Sequence, residues 1–171
     1  MSLPDFFKNE VGSSITWLGS GGTYAMTFAG ITSANGRQGA KGDLGANRAP
    51  IWDVLITASV GTAAAGAEIE VWWGASNSAT AGTNNPAGLS GTDATFNTTP
   101  DEYKQQLIYI GSLVLSNNAG TAIQKQWLTF TPPCRYGMPV IVNKSGVTMG
   151  ATEPDHGITL VPREAAIEDT V

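Results

Sequence analysis

The chain has 171 residues, only 13% of them charged, with a net charge of −5 and a single cysteine, Cys134. That length suits one domain with a core large enough to need no metal, and one cysteine excludes an internal disulfide. Weak acidic charge with no basic run argues against a nucleic-acid partner, since phosphate binding relies on Lys and Arg, and 21 glycines among many Ser, Thr and Asn fit a β protein rich in turns.

Residues 1–14 read as an N-terminal arm. They lack the basic start and apolar run of a signal peptide, and no apolar stretch reaches the ~18 residues of a membrane span. We therefore expect a soluble product of a cytoplasm, with no membrane partner. Phe6 and Phe7 are adjacent, so an extended arm cannot turn both toward one core. Either a short helix begins after Pro4, or one of the two packs on a neighbouring chain, or both simply cover the end of the domain.

Residues 15–18 and 23–31 are strand candidates around the turn Gly19-Ser20-Gly21-Gly22. Tyr24, Met26 and Phe28 alternate with Ala25, Thr27 and Ala29, the period of two that marks a strand. Residues 32–50 are irregular, and three of the nine basic residues, Arg37, Lys41 and Arg48, fall within twelve positions there. This basic loop is either a contact for an acidic partner surface or a solvated loop.

Residues 51–60 alternate cleanly: Trp52, Val54, Ile56, Ala58 and Val60 against Asp53, Thr57 and Ser59. In 68–73, Ile69, Val71 and Trp73 face inward. Trp72 then falls on the polar face, where it is either covered by the following loop or open to a partner. That loop, 74–93, has no apolar periodicity. Loops beyond ~12–15 residues are usually functional or disordered; this one lies between two strong strand signals and reads as an ordered excursion.

Thr99 and Pro100 open a short helical turn with Asp101 and Glu102 in its first turn. Residues 107–115 are apolar on both faces near Ile108 and Ile110, which predicts a central strand. Residues 122–131 are expected to pair back on it as a hairpin, with Trp127 on one face and Leu128 and Phe130 on the other. Residues 138–143 and 157–161 are further strands, the last ended by Pro162, and 163–171 form an acidic tail. The expected fold is an all-β, two-sheet antiparallel sandwich of about eight strands with long loops, of jelly-roll type, over residues 15–162. An immunoglobulin-like sandwich is the alternative, but its Cys–Trp–Cys signature is absent.

The chain offers little for catalysis. His156 is the sole histidine and reads as a turn residue; Cys134 reads as a small buried apolar side chain. One His and one Cys cannot furnish a zinc site. Asp93, Asp101 and Glu102 are the carboxylates from which a glycosidase pair or a calcium site would be drawn, recommended only by their closeness to the long loop. We expect no enzyme, cofactor or metal. Trp17 and Trp72 serve either sugar stacking or packing.

Two stretches carry a family resemblance. Trp72-Trp73-Gly74-Ala75-Ser76-Asn77-Ser78-Ala79-Thr80-Ala81-Gly82-Thr83-Asn84-Asn85-Pro86-Ala87-Gly88-Leu89-Ser90-Gly91-Thr92-Asp93 resembles small virion structural proteins of tailed bacteriophages. Pro132-Pro133-Cys134-Arg135-Tyr136-Gly137-Met138-Pro139-Val140-Ile141-Val142-Asn143-Lys144-Ser145-Gly146 is similar to the same group. The resemblance spans residues 40–161 and leaves out the arm and the tail. It implies a particle component outside the major shell: a head decoration (cement) protein, or a collar or tail-associated module touching host glycans. The first implies a β-rich homotrimer that binds the major capsid protein and resides in the virion. Phe6, Phe7, Trp17, Arg37, Lys41, Arg48 and Trp72 are the expected contact residues.

Overall fold

The computed structural model describes residues 6–11, 13–46, 48–96, 99–116 and 122–168. Twelve strands form the fold: β1 (Phe6–Val11), β2 (Ile15–Leu18), β3 (Tyr24–Ala25), β4 (Gly36–Gln38), β5 (Gly42–Asp43), β6 (Ile51–Ser59), β7 (Glu68–Ser76), β8 (Ala94–Phe96), β9 (Ile108–Val114), β10 (Ile123–Phe130), β11 (Tyr136–Lys144) and β12 (Gly157–Glu168). The one α-helical turn, α1 (Pro100–Tyr103), starts at the expected proline. No helix among the described residues is long and apolar enough to cross a membrane.

The strands make two sheets, an all-β sandwich. One runs β10-β6-β12-β2-β3 with β1 also on β12; the other runs β8-β4-β11-β7-β9 with β5 also on β11. Four antiparallel pairs nest along the chain: β2 with β12, β4 with β11, β6 with β10, and β7 with β9.

The period-two patterns deliver their inward residues to the space between the sheets. Trp52, Val54, Ile56 and Ala58 from β6 meet Ile69, Val71 and Trp73 from β7, with Ile141, Ile158 and Leu160. Trp73 lies edge-on to Trp17 at 5.8 Å and tilted against Phe130 at 5.3 Å. Gly137 leaves room for this packing, because a Cβ there would run into the Trp73 indole.

The structure corrects several strand expectations. Residues 107–115 were expected in the centre of a sheet, but β9 is an edge strand with Ile108 and Tyr109 exposed. The central strand is β11, buried on both faces. The expected hairpin of 107–115 with 122–131 does not form, because β10 pairs with β6 in the opposite sheet. β9 and β10 are instead linked by side chains: Gln126 Oε1 accepts from the Val114 N–H at 3.0 Å, and Gln124 Oε1 accepts from the Ser116 N–H at 2.8 Å. Two glutamines thereby occupy donors that an edge strand would offer to another chain.

The last strand does not stop at Pro162. β12 continues to Glu168, and its end pairs with β1 from Val11↔Arg163 to Phe6↔Glu168. β6 reaches Ile51↔Arg163 on one side, while β2 ends at Ile15↔Leu160 on the other. β1 and β2 thus run in succession along the same side of β12. Pro162, which has no N–H to give, lies opposite the gap between them, a position a sheet tolerates. The residues expected as an arm and a tail therefore pair with each other.

Candidate functional site

The long excursion is a cover on the outer face of the second sheet. Leu89, Ala87, Phe96 and Leu107 pack with Met138, Val140 and Val142 of β11 as a second apolar cluster, with Trp72 at its margin. This explains why β11 is apolar on both faces. Leu89 sits where a Cβ on Gly74 would be, so this glycine of β7 admits the loop to contact distance. The loop is pinned by polar contacts: Asn85 Nδ2 donates to the carbonyls of Ala81 (2.6 Å) and Leu89 (2.8 Å), and Gln38 Oε1 accepts from the Ser90 N–H at 2.9 Å.

The three basic residues, read as either a contact for an acidic partner or a solvated loop, each hydrogen-bond within the chain. Arg37 Nε donates to Asp93 Oδ1 at 2.7 Å. Burial of Asp93 opposes its charge, yet Arg37 and the Thr27 hydroxyl and N–H hold its carboxyl below the ordinary aspartate value. Lys41 Nζ sits among four oxygens: Ser76 Oγ (3.0 Å) and the carbonyls of Ser78 (3.1 Å), Thr80 (2.7 Å) and Thr83 (2.9 Å). Burial lowers its pKa, and the cage contains no carboxylate. Arg48 donates to the carbonyls of Pro132 and Pro133. Each of the three side chains thus braces its own fold.

The expected aromatic contacts divide. Trp17 is fully buried, with its Nε1–H on the Ala40 carbonyl at 2.7 Å and Tyr24 stacked at 5.2 Å, so it has no surface for a partner or a sugar. Trp72 is half-buried. Tyr109 lies against it at 4.7 Å, Lys104 Nζ over it at 5.4 Å, and its N–H donates to Glu70 at 3.1 Å. Its own chain provides much of its cover. The backbone of Phe6 and Phe7 is in β1; their side chains lie outside the described residues.

The groups considered for chemistry have structural partners. His156 is buried; its Nδ1 accepts from the Ser59 N–H at 3.2 Å and its Nε2 lies 3.0 Å from the Gly150 carbonyl, which fixes a neutral, Nε2-protonated ring. Burial lowers its pKa accordingly. Asp101 is held below the ordinary aspartate value by hydrogen bonds from Lys104 and then Lys144. Glu102 accepts from the Thr99 hydroxyl at 3.1 Å. No group of three or more His, Cys, Asp or Glu converges among the described residues.

Among the described residues the most accessible aromatic is Trp127, which is not one of the expected contact residues. Trp127 is 60% exposed, and Tyr109 (51%), Val114 (55%) and Ile123 (47%) also lie open on β9 and β10. On the outer face of the first sheet, Trp127 borders a cavity of about 280 Å³ lined with Asp53, Thr129 and Arg163. Asp53 Oδ1 accepts from the Thr129 hydroxyl at 3.0 Å and Oδ2 from Arg163 Nε at 2.7 Å. The signal was legible: alternation set Trp127 opposite Leu128 and Phe130, hence outward. Searches of the family models and of the curated proteins find no match to this chain.

Proposed function

We propose that this protein is a structural component of a tailed-bacteriophage particle, a decoration protein that binds the major capsid shell and stabilises it as a homotrimer. The observation that carries this reading is the apolar surface on the two neighbouring edge strands, where Ile108, Tyr109, Val114, Ile123 and Trp127 are exposed. Large apolar side chains left open on both edge strands are where association is expected. Several charges that would oppose desolvation are already paired internally, as in Arg37–Asp93, Lys104–Glu70 and Arg163–Asp53. The resemblance at 72–93 and 132–146 supports the same assignment. In a particle, one weak contact is repeated over every symmetry-related copy, so avidity replaces individual affinity.

Quantitation of the protein against the major shell protein in purified particles tests this. A decoration protein is present on the order of hundreds of copies, and its loss leaves the shell lattice intact but lowers the temperature at which DNA escapes. A count of roughly three to eighteen copies instead assigns it to the collar or tail.

A further inference from the structure

We propose that the cavity bordered by Trp127 on the outer face of the first sheet binds a neutral hexopyranose unit of a glycan. A pyranose has an apolar C–H face and a rim of hydroxyls, and it is held where an exposed aromatic ring lies beside fixed donors and acceptors. All three features are present. Among the described residues Trp127 is the most exposed of the large apolar side chains. Asp53 is anchored from two sides, by Thr129 and Arg163, so each carboxylate oxygen keeps a lone pair for a hydroxyl while its direction is fixed. Arg163 bonds through Nε, and its outer guanidinium nitrogens have no partner among the described residues. The cavity therefore offers acceptors and donors together, on three adjacent strands of one sheet. Sites carried on strands hold their geometry better than sites on loops.

Charge and size select the ligand class. The Asp53–Arg163 pair is close to neutral as a unit, which disfavours both phosphorylated and cationic ligands. The volume, about 280 Å³, falls just below the ~300–1,000 Å³ range of small-molecule sites, so the site takes no more than a single ring. An apolar protein side chain would cover Trp127 but leave the polar rim without partners. Trp127 also belongs to the apolar surface invoked above, so the two readings share that side chain, but sugar binding is read without any shell.

The test is saturation-transfer NMR on the free full-length protein with neutral methyl hexopyranosides of gluco, galacto and manno configuration, and methyl glucuronide as the anionic control. At least one neutral sugar is expected to bind with a dissociation constant on the order of 1 mM. Trp127→Ala is expected to weaken it at least tenfold, and Trp127→Phe to retain most of it, with both variants melting like the parent. Absence of any sugar response overturns the proposal, as does preference for the glucuronide. A response unchanged by Trp127→Ala overturns it too. A Trp127→Ala variant that changes self-association while no sugar binds assigns the face to a protein contact. Because the assay contains no shell, its failure leaves the particle reading standing.

Discussion

Replacing Lys41 by Met tests whether the basic loop braces the fold or waits for a partner. The methionine keeps the length and removes the ammonium from its four oxygens. Two of these, the carbonyls of Thr80 and Thr83, are in exposed contacts and can return to water at little cost. The other two, Ser76 Oγ and the Ser78 carbonyl, are part-buried. Ser76 Oγ keeps the Ser78 N–H and the Thr83 carbonyl as partners, so the Ser78 carbonyl bears most of the loss. A buried group left without its partner costs about 1–3 kcal/mol. Relief from desolvating the ammonium offsets part of this, since burial already lowers the Lys41 pKa. The net expectation is a loss of about 1–2 kcal/mol, or roughly 2–8 °C in melting temperature at this chain length. Urea unfolding followed by circular dichroism measures it, and limited proteolysis should show earlier cleavage within residues 77–85. A variant within about 0.5 kcal/mol of the parent, the range of ordinary surface substitutions, refutes the bracing role. If such a variant also bound shells more weakly, the partner-contact role for Lys41 would return.

Two further outcomes follow from the described contacts. Burial holds the pKa of His156 below its ordinary value, so the unfolded chain takes up a proton there before the folded one does. Its contribution to stability is complete above about pH 6.5 and declines as pH falls toward the lower folded value, by at most about 1.4 kcal/mol per pH unit. Melting temperatures of parent and His156→Gln between about pH 7 and pH 5 should show the shallower dependence in the variant; parallel curves would refute the assignment. Leu89→Ala should cost about 2–5 kcal/mol, because Leu89 is buried in the outer cluster. A loss below about 0.5 kcal/mol would mean that the excursion is not a packed cover.

The positions of most strands and the direction of their side chains are local properties, and the sequence alone determined them. Residues 51–60 bury Trp52, Val54, Ile56 and Ala58 because a strand sends alternate residues to opposite faces, whichever strand lies next to it. The same rule set Trp127 outward. Which strands pair is non-local. The run 107–115 is as apolar as a central strand, yet it occupies an edge, and the interior position belongs to β11. Composition cannot separate the two cases, because β11 acquires its second buried face only when residues 77–107 fold back over it. Charge was similarly ambiguous. Arg37, Lys41 and Arg48 cluster in sequence, but Asp93, the carbonyls near residue 80, and Pro132–Pro133 reach them only through the fold. Pro162 looked like a strand end because proline lacks a ladder donor, and only the gap between β1 and β2 lets β12 pass through it. Periodicity is written in neighbouring residues; burial, pairing and counter-charge are supplied by residues far along the chain, and the tertiary structure alone decided those.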